Sequence, residues 1–532
     1  MTRQDDDMKA AAAGAFAAAS IINRAQFLRL MAGAMAGAAV AGASGLPARA
    51  QTPGGTLVMG ISSDIKMLDP HLDSLDVFRH TVRSTVFEAL FFVNPDTLEA
   101  DPALAESWEF GDDGLSLTIK LKQGVTWHDG GPFVADDVVF TINRVKDPAN
   151  GSTLAPQLAT VETAMAVDAH TVRLELNATS PGLLTALAPV QIIAERNVDD
   201  LAVSPIGTGP FRFVDWVPGD FIRVEKFTDY RIAGRPLLDA IEWRIVPDSQ
   251  ARLSALQDGS LQMVALVEGR DVIQAQSIGG IQVISTKPYN LYEIFNINCQ
   301  RPPFDDKRMR QALSYAIDRD SYVRTVWFGL ARATSNPVPP EMPTYLPDSA
   351  GRYPYDPART EALLAELGFT RQNPLTMEIL TPLGFDSLKS LSLLLQDSLT
   401  RLGHNVTVRE LEITVWVDTF VNNRNYDITA DNFNTFPEDP AGMFNSGNLA
   451  PDVDANINRW NPPGYAEMVQ AAAAEMDPAR RIELYQELQE FILDEMPMIT
   501  VDHLPLFFLG SETVAGFIIG PSGLDDYSGI TL

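Results

Sequence analysis

The stretch NCQRPPFDDKRMRQALSYAIDRDSYVRTVWFG, residues 298–329, decides the fold of this chain. Pro302 and Pro303 hold the incoming backbone extended. Asp305 is placed to N-cap a first helix, on which Met309, Ala312, Leu313, Ala316 and Ile317 recur at helical spacing while Lys307, Arg308 and Arg310 stay near its start. Asp320 is placed to cap a second helix carrying Tyr322, Val323, Val326 and Trp327, and Gly329 ends it where a left-handed residue is wanted. The apolar stripe belongs in a core, and nothing in the stretch is catalytic. On its residues alone it is a helical hairpin that begins a new domain.

Composition bounds the rest. The chain has 532 residues, 45% of them hydrophobic and 20% charged, which suits a folded protein of several domains. Its net charge is −29, and without residues 1–50 it becomes −31, from 35 basic and 66 acidic groups. Such a surface repels phosphate backbones, so nucleic acid and anionic membrane are not expected partners.

Arg24 and Arg29 precede an uncharged Ala- and Gly-rich run over residues 30–47, and Ala48, Arg49 and Ala50 fit a small-x-small cleavage site. Residues 1–50 are therefore expected to be a secretory signal, with the mature chain starting near Gln51. The run has too few large apolar side chains to anchor in lipid. The segment NRAQFLR, residues 23–29, resembles a twin-arginine export motif with Ala25 in place of the second arginine, which leaves the export route open. The single cysteine, Cys299, lies far from the cleavage site, so neither a lipid-attachment cysteine nor an intrachain disulfide is available. It is expected to be an inert, partly buried thiol.

Reading from the start, TLVMGI at residues 56–61 has strand character. Val82, Val86, Ala89 and Leu90 predict a helix running to Phe91 and Phe92. Leu115, Leu117, Ile119 and Leu121 alternate with polar residues, as a half-buried strand does. In GVTWHDGGPFVADD, residues 124–137, glycines turn the chain and Asp136 opens a helix. His128 and Asp129 stand without a base, orienting acid or nucleophile beside them. PIGTGPF, residues 205–211, has only G-x-G, so its glycines are expected to let the backbone pass a neighbouring strand rather than cradle a dinucleotide. Asp356 and Asp477, each followed by proline, start further helices, and residues 498–508 read as one apolar strand.

PPFDDKRMRQALSYAIDR closely resembles the P-P-x-x-D-x-R-x-R-x-A-L-x-x-A-I-D-R signature of the extracytoplasmic solute-binding proteins of family 5, the oligopeptide, dipeptide and nickel class that serves ABC importers. GVTWHDGGPFVADDV, PIGTGPF and the D-P-x-x-x-x-x-L-L pattern at 356–364 are similar to further signatures of that family. The resemblance implies an α/β, periplasmic-binding-protein-like fold: two lobes around a ligand cleft, with an additional domain inserted into the first. The implied division is a signal at 1–50, first-lobe pieces at 51–92, 206–296 and 500–532, an inserted domain at 93–205, and a second lobe at 297–499. Hinge crossovers fall near Asn296 and Met498.

The resemblance further implies a periplasmic, monomeric receptor that hands its solute to an inner-membrane ABC permease, with no catalytic residues, cofactor or metal. A periplasmic sensor or chaperone on the same fold, or a secreted hydrolase, are the alternatives. The six histidines show no metal-ligand pairing, and no G-x-S-x-G, P-loop or S-x-x-K occurs. In peptide-binding relatives an aspartate shortly before a D-P or E-P dipeptide pairs with the peptide α-amino group. In NFNTFPEDP, residues 432–440, counting back from Pro440 puts Phe436 at that place, so the anchor is expected to be missing. Glu438 or Asp439 either substitutes for it or merely forms the turn. Phe433 and Phe436 either wall a pocket for a sugar, opine or apolar solute or pack in the core, a peptide being the solute that Glu438 or Asp439 would anchor. Asn434, Trp416, Arg424, Tyr292 and Asn296 complete the candidates.

Overall fold

The computed structural model describes residues 53–73, 75–287, 291–434, 440–444, 448–452, 454, 456–521 and 523–532, and the architecture below concerns the unit Gln51–Leu532. Phe436, Glu438 and Asp439 lie outside the described residues, as does the expected signal segment.

Three sheets carry the fold. The largest has seven strands in the order Ile281–Ser285, Phe507–Ser511, Met263–Val264, Thr56–Ile61, Ala240–Ile245, Phe221–Lys226 and Phe211–Val217. Its members come from three separated stretches of chain. Leu57, Met59, Ile241, Trp243, Met263 and Phe508, all fully buried, knit those stretches into one core. A four-stranded antiparallel sheet follows the order Ala105–Phe110, Ser116–Leu121, Thr171–Leu176 and Val161–Asp168. The alternation seen in the sequence is realised there, with Leu117, Ile119 and Leu121 inward. The helix Ala135–Lys146 covers that sheet through Val138, Ile142 and Val145.

The third sheet has five strands, Asn405–Leu411, Thr376–Pro382, Ile428–Asn434, Leu291–Ile297 and Met498–Thr500 in that order. Thr376–Pro382 pairs in parallel with both of its neighbours, while Leu291–Ile297 runs antiparallel to both of its own. The helix Lys307–Tyr315 buries Met309, Ala312 and Leu313 in that core, as its apolar stripe demands.

Several local expectations are corrected. Asp306, not Asp305, caps the first hairpin helix, accepting from Arg308 N, and Asp318, not Asp320, caps Arg319–Val326 by accepting from Ser321 N at 2.9 Å. At 135–146 the Asp137 carboxylate, not Asp136, serves the helix start, taking Val134 N at 3.0 Å and Trp127 Nε1 at 3.2 Å. The helix through Val82 stops at Val86, and Phe91–Val93 is a strand, because Val86 gives its carbonyl to Gly209 N. Residues 498–508 contribute to three strands in three different sheets, Met498–Thr500, Asp502–His503 and Phe507–Ser511. Gly207 and Gly209 do lie close to backbone, but against the helical turn at Thr85 and Val86 rather than a strand.

Candidate functional site

In open α/β sheets ligands sit outside the carboxyl ends of the strands. In the five-stranded sheet the carboxyl ends of Asn405–Leu411, Thr376–Pro382, Ile428–Asn434 and Met498–Thr500 share one edge, and the amino end of Leu291–Ile297 meets them there through the pairing Leu291↔Asn434. That edge concentrates the candidates.

Side chains alternate along a strand, so Tyr292, Ile294 and Asn296 share one face with their partners Phe433, Asp431 and Thr429. The Tyr292 and Phe433 rings lie 5.8 Å apart, and Tyr292 also meets His503 edge-on at 6.2 Å. Asn296 Nδ2 donates to Asp431 Oδ2 at 2.9 Å, and Asn432 N donates to Asp431 Oδ1 at 2.8 Å. Asn296 is fully buried, and its Oδ1 has no hydrogen-bond partner among the described residues. Trp416 joins the same face from the helix Ile413–Val417, donating through Nε1 to Thr429 Oγ1 at 2.9 Å. Burial raises the Asp431 carboxyl from its ordinary 3.8 to about 7, against the opposing hydrogen bonds of Asn432 and Asn296. Burial, and then the Asp431 charge, pushes the Tyr292 phenol upward, so it stays neutral.

The structure thus brings Tyr292, Asn296, Phe433 and Trp416 together. Asn434 holds the last register position beside Leu291. Arg424 stands apart, with a left-handed φ of 50° beyond the opposite end of its strand. Its guanidinium bonds the Asp454 carbonyl, and its own carbonyl receives Asn298 Nδ2 at 3.1 Å.

Asp431 is the residue that the sequence reading missed. The signal was present: one acid at an inward-alternating position of ITADNFN, residues 428–434, between Thr429 and Phe433. Counting back four residues from Pro440 reaches Phe436 and leaves Asp431 five residues further upstream.

The histidines serve structure. His128 Nε2 lies 2.9 Å from Gly209 O and its Nδ1 accepts from Gly207 N at 3.2 Å, while Asp129 pairs with Arg196. Burial holds His71, His128 and His503 down at about 4, so all three are neutral at pH 7. Among the described residues no group of three His, Cys, Asp or Glu side chains is placed to hold a metal ion, and no helix is long and apolar enough to cross a membrane. An open cleft of about 420 Å³ lined by Glu106, Lys122, Gln123, Val125 and Arg231 lies apart from this face. Its cations are engaged, Lys122 with the Ala103 carbonyl at 2.6 Å and Arg231 with Glu88 at 2.7 Å.

A mostly parallel sheet with a polar and aromatic carboxyl edge, tied by two chain crossings to a second sheet, is the architecture of the periplasmic-binding-protein fold. The chain belongs to the bacterial extracellular solute-binding proteins, family 5, whose middle-region model matches residues 99–453. It is similar to heme-binding protein A of Haemophilus influenzae, 28% identical over 485 residues, covering 84% of this chain and 87% of that protein. It is equally similar to di/tripeptide-binding protein 2 of Pseudomonas aeruginosa, 28% identical over 480 residues, covering 84% of this chain and 89% of the other. Among solved structures, the periplasmic binding protein DppA of Helicobacter pylori, in complex with the peptide STSA, superposes with a TM-score of 0.78 at 23% identity, over 90% of this chain and 98% of that one.

Proposed function

We propose that this protein is the periplasmic receptor of an ABC importer, and that it captures a small amine-bearing solute of the peptide class with Asp431 as the anchor for the amine. The observation that carries the reading is the Asp431 carboxyl, which stands on the carboxyl edge of the sheet and has no cationic partner among its hydrogen bonds. A ligand ammonium would supply the missing cation, and the unpartnered Asn296 Oδ1 offers it a second acceptor. Tyr292, Phe433 and Trp416 would pack the adjoining apolar part.

The di/tripeptide-binding relative and the peptide complex of the Helicobacter protein support the solute class. The seven-stranded sheet supports a first lobe drawn from pieces 51–92, 206–296 and 500–532 and the four-stranded sheet an inserted domain at 93–205, while the five-stranded sheet supports a second lobe at 297–499 that also takes in the Leu291–Ile297 strand, ahead of the expected boundary. Closure of the lobes over the solute needs differential affinity and no chemistry, and the closed monomer is the form that an inner-membrane permease would recognise.

The test is calorimetry with a short-peptide library beside the same peptides acetylated at the amino terminus. Free peptides should bind, the acetylated forms should bind at least about tenfold more weakly, and Asp431→Asn should remove the difference. Binding of both forms alike, or of neither while heme binds, overturns the reading.

A further inference from the structure

The chain crosses between the seven-stranded and five-stranded sheets twice, from Ile281–Ser285 into Leu291–Ile297 and from Met498–Thr500 out to Phe507–Ser511. The outgoing segment runs beside the amino end of the Leu291–Ile297 strand: Val501 N donates to Glu293 O at 2.9 Å and Leu504 N to Leu291 O at 2.7 Å. Any change in the relative orientation of the two sheets must bend both segments. Glu293, on the opposite face of its strand from Tyr292, is 1% exposed, and Asp502 is fully buried.

Tyr322 Oη donates to Glu293 Oε2 at 2.6 Å and Trp327 Nε1 at 3.0 Å, while Glu293 N donates to Asp502 Oδ1 at 3.2 Å. Asp502 Oδ2 is buried with no donor on it among the described residues. The Trp327 ring also lies against Gly269, the first residue of the helix Gly269–Gln276, which packs on the seven-stranded sheet.

No cation bonds either carboxyl among the described residues. The nearby Arg319 guanidinium gives its hydrogens to the carbonyls of Thr500, Ser314 and Tyr353 and to Ser314 Oγ. His503, neutral, turns to the Pro337 carbonyl, and Arg332 pairs with Glu341 at 2.8 Å. From the flanking helices, Arg270 turns to Glu268, Asp271 and Asp386, and Lys389 pairs with Glu410. Ser387 adds a neutral hydrogen bond to Glu293. Two adjacent buried carboxylates without a counter-charge are untenable, whereas one shared proton makes an acid that donates to its neighbour.

We propose that Glu293 and Asp502 share one proton and form a pH-operated clasp between the amino end of the Leu291–Ile297 strand and the outgoing crossing. With the proton in place the segments are cross-linked by a carboxyl–carboxylate hydrogen bond. Its loss leaves two like charges on adjacent strands, and the crossings loosen. Burial raises both carboxyls, and the Glu293 charge raises Asp502 further, so the clasp is present at low pH and is lost as pH rises through the pair's folded value. The clasp does not depend on which solute the protein binds.

Hydrogen exchange of peptides containing Val501 and Leu504, corrected for the intrinsic pH dependence of exchange, tests it between about pH 5 and pH 9. The wild type should lose protection there by at least about tenfold as pH rises, and Glu293→Gln and Asp502→Asn should each flatten the profile. Unchanged profiles in both variants overturn the clasp. Should neither variant fold, infrared spectra of the Asp431→Asn protein decide the matter. A protonated-carboxyl band that persists at neutral pH and disappears on alkalinisation supports the shared proton, and its absence at neutral pH overturns it.

Discussion

Asn296 Nδ2 holds Asp431 Oδ2 at 2.9 Å across two antiparallel strands, while the other Asn296 side-chain atom, Oδ1, is buried with no partner among the described residues. A buried amide left half satisfied beside a carboxyl raised to about 7 stores unfavourable free energy at the sheet edge. The cation proposed to bind there would relieve both deficits at once.

The pH dependence of Asp431 follows from that shift. Its folded value, about 7, lies above the ordinary 3.8, so the stability it contributes is fully present below about pH 4 and is lost as pH rises through 7. Three units correspond to at most ~4 kcal/mol. Asp431→Asn keeps the shape without the buried charge, and should raise stability at about pH 8 by ~1–3 kcal/mol while leaving it nearly unchanged at about pH 4. Urea denaturation at the two pH values measures this, and a variant no more stable than wild type at the higher pH contradicts it.

Arg310 makes a prediction about the signature stretch. Its guanidinium donates to the carbonyls of Phe304 and Asp305 at 2.8 and 3.1 Å and to those of Glu495 and Met496 at 2.6 and 3.1 Å. It thereby staples the start of one helix to the end of the Pro478–Glu495 helix. Arg310→Ala orphans several buried acceptors and should cost about 3–5 kcal/mol. Arg310→Lys, a point charge that cannot span both pairs, should recover less than half of that. Thermal melts of the two variants check the order.

The contrast between these two residues shows what the sequence could reveal. The hairpin stripe Met309, Ala312, Leu313, the alternation through Leu117 and Ile119, and the Asp-Pro helix starts are local patterns, and each was legible because a period or a cap needs no partner. Caps at Asp305 and Asp320 slipped by one or two positions, since neighbouring aspartates compete for the same amides. The helix expected to reach Phe92 lost its last turn to a non-local bond, Gly209 N to Val86 O, which no window of sequence contains. At the candidate site, Tyr292, Asn296, Phe433 and Trp416 could be named from residue type, but their convergence depends on strand register. Asp431 escaped because its role depends on burial, a tertiary property.

The close approach at Gly207 and Gly209 gives a sharp steric test. A Cβ at Gly207 would lie 1.7 Å from Val86 O, and one at Gly209 2.4 Å from Thr85 O. Both obstacles are backbone and cannot rotate away. Gly207→Ala should cost more than ~4 kcal/mol and abolish soluble expression. Gly279→Ala, where nothing lies within 4 Å, should change stability by less than ~0.5 kcal/mol. Equal behaviour of the two variants in a thermal-shift assay contradicts the packing.

The chemistry of Cys299 depends on no ligand. The residue is 8% exposed, and its thiol lies within 3.5 Å of Ile297 O and 3.7 Å of Pro497 O, where one or the other can accept its hydrogen. Burial pushes the thiol up to about 12, the modest pull of Arg310 notwithstanding. Nucleophilic attack requires the thiolate, which at neutral pH is then scarcer by about three powers of ten than in a free cysteine. An aromatic disulfide reagent should therefore leave the native protein unlabelled over an hour at pH 8 and label one thiol per chain in denaturant. Because Cys299 sits where the Leu291–Ile297 strand leaves the sheet, between that strand and the Pro497 turn, its labelling rate below the denaturation midpoint also reports local opening of that junction. Rapid labelling of the folded protein would mean that the junction is open in the resting state.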